Sequence, residues 1–368
     1  MIVLLIIAVF FLAYSNGAND NFKGVATLFG SQTCSYKTAL IWATVTTFLG
    51  GLAAIFFAQQ LMSNFSGKGI LDDALIQLPT FGVSIAMGAA ITVYIATKIG
   101  MPISTTHALV GALTGLGLIA NTNNGFFNSI MILFLLPLFV GPILASVLSF
   151  VMYKIFNYVR MQTSITKDYC ICINEKTQEF LYYQETEKCA AITKNPIISS
   201  CTVSEQYSGK LLGITAQHII RLLHFFSAGL VSFARGLNDT PKIAAILLIT
   251  TNTNTSLSLV AIAVAMSIGG ILNAKKVGVN MSKNITSINE GQGFTANLVT
   301  GFLTTTASVF GLPVSTTHAS VGAIFGISFA NKKSNIRTTY KIVSSWLITL
   351  PMAAFVAVIV YIILNLFF

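Results

Sequence analysis

The chain has 368 residues, of which 54% are hydrophobic and only 9% are charged, and its mean hydropathy is +0.77. Because an average soluble domain is about 25% charged, this composition excludes an ordinary water-soluble fold. The net charge of +10 does not indicate a nucleic-acid partner, because the basic residues cluster in loops between apolar segments. The sequence lacks the motifs of P-loop ATPases, zinc proteases and serine hydrolases. We therefore expect neither an enzyme nor a resident cofactor or metal.

Apolar stretches of helical length recur along the chain, five in each half. In the first half they are predicted near residues 1–30, 38–62, 80–98, 103–120 and 126–156. In the second half they are predicted near residues 212–250, 256–274, 294–310, 314–330 and 338–368. Since a membrane-spanning helix needs about 20 apolar residues, we expect an all-α polytopic membrane protein. Its first transmembrane repeat is predicted at 1–156 and its second at 211–368.

The segment at 157–210 separates the two halves and holds six of the eleven acidic residues. We expect a polar cytoplasmic loop insertion there, with a short hairpin. It also contains four of the five cysteines, namely Cys170, Cys172, Cys189 and Cys201. Four thiolates can bind zinc, but no Cys-x-x-Cys pair is present, so free thiols are the favoured interpretation.

Two polar motifs each occur twice in this apolar sequence. Pro-Ile-Ser-Thr-Thr-His begins at Pro102, and Pro-Val-Ser-Thr-Thr-His begins at Pro313. Gly-Ala-Asn-Asp begins at Gly17, and Gly-Leu-Asn-Asp begins at Gly236. Carboxylate, hydroxyl and imidazole groups are costly to place in hydrocarbon, so a duplicated set of them indicates a functional site.

The glycines and prolines of these motifs predict how the backbone is interrupted. Each Gly-x-Pro before a Ser-Thr-Thr-His is expected to end one helix and start another, as a hairpin that re-enters the membrane. Gly17 and Gly236 are expected to loosen the backbone, giving a broken helix at each Asn-Asp motif. With one re-entrant hairpin in each half, each half crosses the membrane three times. Because this number is odd, the second half is inverted relative to the first, which predicts two inverted-topology repeats with a site at the midplane.

The distribution of Lys and Arg predicts the orientation. The loops that would face away from the cytoplasm carry only Lys68. With 157–210 in the cytoplasm, the other basic loop residues lie inside as well: Lys37, Lys154, Lys275, Lys276, Lys283, Lys332, Lys333, Arg337 and Lys341. The positive-inside rule therefore predicts a multi-pass plasma-membrane protein with both termini outside.

Each Asn-Asp motif is followed by a lysine three residues after the Asp. The residues are Asn19, Asp20 and Lys23 in the first half, and Asn238, Asp239 and Lys242 in the second. Amide and carboxylate oxygens beside unwound carbonyls suit a small hard cation such as sodium, whereas a membrane-embedded Asp can equally carry a proton. The alternative is an Asp–Lys pair that only holds the helix bundle together.

The Ser-Thr-Thr segments stand where a helix is expected to restart, and their residues are Ser104, Thr105, Thr106, Ser315, Thr316 and Thr317. A helix N-terminus attracts anions, so two such ends meeting at the midplane predict a pocket for one tetrahedral oxyanion. The alternative is that the hydroxyls only cap the helices. His107 and His318 are expected to pack beside the site, as are Lys23 and Lys242. Arg235 could bind a phosphate but has Asn16 as its counterpart, so it is expected at the cytoplasmic mouth.

At these residues the sequence resembles the inorganic phosphate transporter (PiT) family. The two Asn-Asp motifs and the two Pro-x-Ser-Thr-Thr-His motifs match that family's repeats in order and spacing, and only the central insertion is not covered. The resemblance implies secondary uptake of inorganic phosphate coupled to sodium or protons. It implies that Asn19, Asp20, Asn238 and Asp239 form the coupling-ion and phosphate centre, with the Ser-Thr-Thr hydroxyls as phosphate ligands.

Two other functions stay open on the sequence. A sulfate permease on the same scaffold would bind an anion of the same shape, but an ionised Asp favours phosphate, which can donate a hydrogen bond. An ion channel would need a continuous pore and would show no counterflow of labelled substrate. The sequence does not decide between sodium and protons, or between free phosphate and a metal–phosphate complex. A homo-oligomer in the bilayer is compatible with it.

Overall fold

The computed structural model describes residues 1–120, 125–173, 180–183, 201–211, 213–251, 253–284, 288–331 and 336–367. Most of them are helical, as the sequence predicts. The helices of the first half are α1 (Ile2–Asp20), α2 (Ala26–Gly30), α3 (Tyr36–Phe57), α4 (Gln59–Phe65), α5 (Asp73–Ile76), α6 (Pro79–Ile99), α7 (Thr105–Ile119), α8 (Phe126–Ile130) and α9 (Leu136–Gln162). A 3₁₀ turn at Lys23–Val25 precedes α2, and a π-helical turn at Met131–Leu135 joins α8 to α9.

The second half repeats the order of long helices. Its elements are α10 (Ala216–Thr250), α11 (Thr255–Asn273), α12 (Lys275–Asn284), α13 (Glu290–Val309), α14 (Thr316–Asn331) and α15 (Ile336–Phe367). By sequence position α10, α11, α13, α14 and α15 correspond to α1, α3, α6, α7 and α9. The sequence did not predict α12, whose composition is too polar to stand out as an apolar stretch.

Between the halves lies a small antiparallel sheet of β1 (Thr166–Ile173), β2 (Phe180–Tyr183) and β3 (Cys201–Ser208), in the order β2-β1-β3. Thr166 pairs with Ser208 at one end of the β1–β3 ladder, so the expected hairpin is part of three strands. A two-stranded ribbon follows, formed by β4 (Lys210–Leu211) and β5 (Ile214–Thr215). Cys189 and the side chains of Cys170, Cys172 and Cys201 lie outside the described residues, so the thiol and zinc interpretations both stay predictions.

Seven of the described helical segments are long and apolar enough to cross a membrane, which confirms the membrane-protein class. They are Ile2–Gly30, Tyr36–Phe57, Pro79–Ile99, Phe126–Gln162, Ala216–Thr250, Thr255–Asn273 and Ile342–Phe367. Helix α7, with 15 residues, is about 22 Å long and therefore shorter than the roughly 30 Å hydrocarbon core. Large apolar side chains are exposed along α9 and α15, for example Ile143 and Phe355, as expected of lipid-facing surfaces.

The long helices pack across the two halves in a repeated pattern. Helix α1 packs on α6 of its own half and on α11 of the other, while α10 packs on α13 and on α3. Similarly, α7 packs against α15, and α14 packs against α9. Corresponding helices thus have corresponding neighbours, and each half completes its core with helices of the other half.

The two motif helices differ in continuity, and this corrects one expectation. Helix α1 ends at Asp20 and the chain turns into the 3₁₀ segment, whereas α10 runs unbroken through Asn238 and Asp239. A broken helix is therefore absent from the described second half. The glycines do not loosen the backbone: a Cβ on Gly17 would lie 1.8 Å from the Met266 carbonyl oxygen. Both glycines instead permit close helix contact, α1 with α11 and α10 with α3.

Candidate functional site

The duplicated motifs meet in one buried cluster, which we call the polar centre. The end of α1 and the interior of α10 supply the Asn-Asp motifs, and the first turns of α7 and α14 supply the hydroxyls. Its residues are Asn16, Asn19, Asp20, Lys23, Thr105, Thr106, Arg235, Asn238, Asp239, Lys242 and Thr317. Asp20 is only 2% exposed and Asp239 only 4%, so both carboxylates depend on protein partners instead of water.

Asn16 connects the two carboxylates. Its Nδ2 lies 3.3 Å from Oδ2 of Asp20 and 3.1 Å from Oδ2 of Asp239, and it also donates to Oγ1 of Thr105 at 3.0 Å. Thr105 in turn donates to Oδ2 of Asp20 at 3.2 Å. One amide and one hydroxyl therefore join the Asn-Asp motifs of both halves to the start of α7.

Asn19 holds the link between α6 and α7. Its Nδ2 donates to Oγ1 of Thr97 at 2.9 Å and to the Met101 carbonyl at 3.0 Å. Its Oδ1 accepts from the backbone N–H of Ile103 at 3.2 Å. The side chain thus satisfies two backbone groups of the irregular segment before Ser104 and bonds one hydroxyl of α6, which is how such backbone is tolerated inside a membrane protein.

Asn238 has the same role in the second half. Its Nδ2 donates to the Val314 carbonyl at 2.9 Å, and its Oδ1 accepts from Oγ of Ser308 at 3.0 Å. Ser308 and Val314 occupy the positions that correspond to Thr97 and Ile103. The Asn residues were predicted to bind phosphate or a cation, and in this structure both anchor the links that precede the Ser-Thr-Thr segments.

Each lysine ammonium is surrounded by oxygen atoms. Nζ of Lys23 donates to the Ile103 carbonyl at 2.6 Å and to Oγ1 of Thr317 at 2.9 Å, and forms a short contact with Asp20. Lys23 thus contacts the carboxylate of its own motif, a carbonyl of the α6–α7 link in its own half and a hydroxyl of the opposite half.

Lys242 repeats this arrangement. Its Nζ donates to the Val314 carbonyl and to Oγ1 of Thr106, both at 2.8 Å, and lies 3.5 Å from Oδ1 of Asp239. Thr106 and Thr317 are corresponding residues, so each lysine crosses to the threonine of the other half. The sequence placed the lysines beside the site, whereas here they directly contact its hydroxyls.

Arg235 lies in the polar centre, so its predicted place at a cytoplasmic mouth is wrong. It is 1% exposed, donates to Oδ1 of Asn16 at 2.7 Å and to Oδ1 of Asn21 at 3.2 Å, and its Nε is 3.8 Å from Asp239. The sequence did hold an indication of this position. Asn16 and Arg235 are corresponding residues, and corresponding residues meet where two related halves come together.

Ser104 and Ser315 cap the helices that follow them. Their Oγ atoms accept the backbone N–H groups of His107 and His318, each at 3.2 Å. Capping uses a lone pair and leaves the hydroxyl hydrogen for donation to an anion, so it does not conflict with a ligand role. Thr316 is buried in the same first turn of α14, with 6% exposure.

The two motif histidines contact each other. The rings of His107 and His318 are 4.2 Å apart between centroids and inclined by 68°, and Trp346 covers His318 at 3.8 Å. Among the described residues, Nδ1 of His107 and Nε2 of His318 have no hydrogen-bond partner. They form a second contact between corresponding residues, beside the polar centre.

A second buried polar cluster, which the sequence did not predict, lies at the start of α13. Glu290 is 6% exposed and accepts from Nε of Arg221 at 3.1 Å and from the side chain of Gln217. The sequence predicts a helix start near residue 294, which leaves Glu290 in the preceding loop. The sequence did contain a signal for the true start of α13. Asn289 and Gln292 form a capping box whose N-cap, Asn289, directly precedes Glu290.

The cluster extends toward α2 through His224. Its Nε2 is 3.1 Å from Oγ1 of Thr27, which accepts from Nδ2 of Asn297 at 2.9 Å. Oγ1 of Thr33 lies 3.4 Å from Nδ1 of His224 and donates to Glu290 at 3.3 Å. Within the described residues, no group of three or more His, Cys, Asp or Glu side chains is placed to hold a metal.

Comparison with known proteins identifies similar chains over nearly the whole length. The model of the phosphate transporter family matches residues 16–357. A Pyrococcus horikoshii protein predicted to be a phosphate permease is 26% identical over 98% of this chain and 97% of its own. The chloroplastic inorganic phosphate transporter 2-1 of Arabidopsis thaliana is 27% identical over 95% of this chain and 70% of its own.

Among solved structures, one described as the sodium-dependent phosphate transporter has the same fold. It superimposes with a TM-score of 0.77 at 23% identity, covering 100% of this chain and 99% of its own. These similar proteins are permeases and transporters, and the matched region contains all four motif copies.

Proposed function

Because the chain belongs to the phosphate transporter family, we propose that it takes up inorganic phosphate across the plasma membrane together with sodium ions or protons. The family consists of transporters, which agrees with the expectation that the chain is not an enzyme.

The charge of the polar centre supports an anionic substrate. The polar centre brings three cationic side chains, Lys23, Arg235 and Lys242, against only two carboxylates, Asp20 and Asp239. An excess of positive charge in a buried site favours an anion, and the hydroxyls of two helix N-termini add donors for its oxygens. Phosphate would bind between Ser104–Thr106 and Ser315–Thr317.

The proposed motion is alternating access by two inverted-topology repeats. The support is the repetition of contacts: each lysine bonds a threonine of the other half, and each Asn holds the link of its own half. A rocking of the repeats would exchange the two lysine–threonine contacts for contacts with phosphate. The termini would lie outside and the 157–210 insertion in the cytoplasm.

The Asp residues would couple phosphate movement to the cation. Asp20→Asn and Asp239→Asn preserve shape but remove the negative charge that pairs with Lys23 or Lys242. We expect either variant to insert normally and to lose concentrative phosphate uptake. The measurement is radiolabelled phosphate uptake into proteoliposomes, with sodium and proton gradients imposed separately.

Two controls define the substrate and the transport class. Excess sulfate should leave phosphate uptake unchanged, since an ionised carboxylate accepts a hydrogen bond that sulfate cannot donate. Preloaded phosphate should drive counterflow, which a channel does not show. Wild-type uptake in both Asp variants would remove the carboxylates from the coupling mechanism, and sulfate-inhibited uptake would favour the sulfate permease.

A further inference from the structure

Lys23 and Lys242 each present an ammonium group to a set of oxygens that would suit a metal cation. The set contains one carboxylate, one backbone carbonyl and one threonine hydroxyl in both cases. Hard cations such as sodium are bound by these oxygen types. We call these two oxygen sets the lysine cages.

The two lysines are fixed in the cages by burial, and their contacts are not chance contacts of flexible side chains. Lys23 is 5% exposed and Lys242 is 1% exposed, and an unpaired ammonium at such depth would be strongly unfavourable. The ring of Phe65 lies 5.4 Å from Nζ of Lys242, on the face that attracts a cation. The same three oxygen types surround both lysines although the two cages are formed by different segments of the chain.

The charge of the centre leads to the same conclusion. Two buried carboxylates must be balanced before a phosphate can enter, and a metal-coupled carrier would supply that charge as bound cations. Here the ammonium groups and Arg235 supply it from the chain itself. A sodium ion in either cage would have to displace a covalently attached cation that is already held by three oxygens.

We propose that Lys23 and Lys242 are tethered cations that fill the two cation positions of the site, so that this protein carries phosphate without binding sodium there. The inference rests on the proposed function and narrows it, because phosphate uptake then needs no sodium. It also explains why a lysine follows each Asp by three residues. The spacing carries Nζ back past the carboxylate and onto the link carbonyl of the same half.

The test compares sodium with choline chloride at equal ionic strength on the purified full-length protein. We expect no saturable ²²Na⁺ binding to the wild type, equal melting temperatures in both salts and equal phosphate uptake in both. Lys23→Ala and Lys242→Ala remove the ammonium and leave the oxygens, so each variant should bind about one sodium ion per chain. Each should also melt at a higher temperature in sodium than in choline.

Lys98→Ala is the matched control, because Lys98 is exposed and its ammonium lies over the Tyr94 ring instead of in the centre. It should behave as the wild type. Saturable sodium binding to the wild type, or uptake that requires sodium, would overturn the inference even if the Ala variants fail to fold. Folded Ala variants that bind no sodium would overturn it too. Absence of phosphate uptake under every gradient would instead contradict the proposed function. The ²²Na⁺ binding measurement would still show whether the lysine ammonium or a sodium ion occupies the cages.

Discussion

The hydroxyl of Thr105 bonds both the Asn16 amide and the carboxylate of Asp20 in the first motif. It accepts from Asn16 at 3.0 Å and donates to Asp20 at 3.2 Å. A phosphate held at the start of α7 would take over this donor. Its contribution to substrate binding can therefore be separated from that of the carboxylates.

Thr105→Val keeps the shape of the side chain and removes its hydroxyl. A hydrogen bond to a charged group contributes about 1.5–3 kcal/mol, so we expect the apparent KM for phosphate to rise about 10- to 140-fold. Initial uptake rates across a range of phosphate concentrations measure this. Thr114→Val is the control, since the Thr114 hydroxyl bonds the Val110 carbonyl of its own helix at 2.7 Å. An unchanged KM in Thr105→Val would exclude this hydroxyl from the site.

At the residue scale the sequence predicted which side chains gather but not how they pair. Duplication and the cost of polar groups in hydrocarbon were sufficient to select the Asn-Asp and Ser-Thr-Thr residues. The crossing of Lys23 to Thr317 depends on which half each link faces, which no local pattern records. Arg235 was misplaced for the same reason, because its partner Asn16 lies 219 positions away.

At the scale of elements, the contact between α1 and α11 depends on the absence of a side chain at Gly17. A Cβ there would lie 1.8 Å from the Met266 carbonyl oxygen, and a Cβ on Gly236 would lie 2.0 Å from that of Thr47. Backbone atoms on both sides leave little freedom to adjust. The two motif helices are therefore positioned by glycines that precede the functional residues by only a few positions.

Gly17→Ala and Gly236→Ala should each force two helices apart and destabilise the protein. Overpacking of a core costs about 1–3 kcal/mol, and a collision with backbone lies at the upper end of that range. We expect a lower melting temperature and less monodisperse protein in size-exclusion chromatography. Gly125→Ala is the control, since no atom lies within 4 Å of its added Cβ. Wild-type stability in both motif variants would contradict the close-packing role.

The sequence predicted long apolar helices well and polar or composite elements poorly. Hydropathy located the five major helices of each half, because lipid-facing helices and buried helices such as α7 and α14 both need apolar surfaces. The polar helix α12 and the first turn of α13, which begins at Glu290, were not predicted. The continuity of α10 at Asn238 could not be predicted, because neighbouring helices, and not the local glycine, decide whether a helix breaks.

At the scale of the whole molecule, the orientation in the membrane can be tested through the single cysteine of the first half. Cys34 lies between α2 and α3, near Lys37, on the side predicted to be cytoplasmic, and its thiol is half-buried. Partial burial raises the pKa of Cys34, so its reactive thiolate becomes more abundant as the pH rises.

A variant that keeps only Cys34 should react with an impermeant maleimide in inside-out vesicles and not in intact cells. Labelling should accelerate as the pH is raised from 7 to 9, because the raised pKa leaves little thiolate at neutral pH. A variant that keeps only Cys189 provides the control for the 157–210 insertion. Labelling of Cys34 from outside intact cells would reverse the predicted topology.

The exchange of helices between halves sets the order in which a nascent chain can assemble. Helix α7 leaves the ribosome complete at Ile119, but its neighbour α15 begins only at Ile336. At about 5–20 residues per second, some 10–40 s of synthesis separate the two events. During that interval α7 lacks its α15 neighbour, so we expect assembly to finish only after α15 has been synthesised. Premature termination before α15 would leave a membrane-inserted fragment for quality-control proteases to remove.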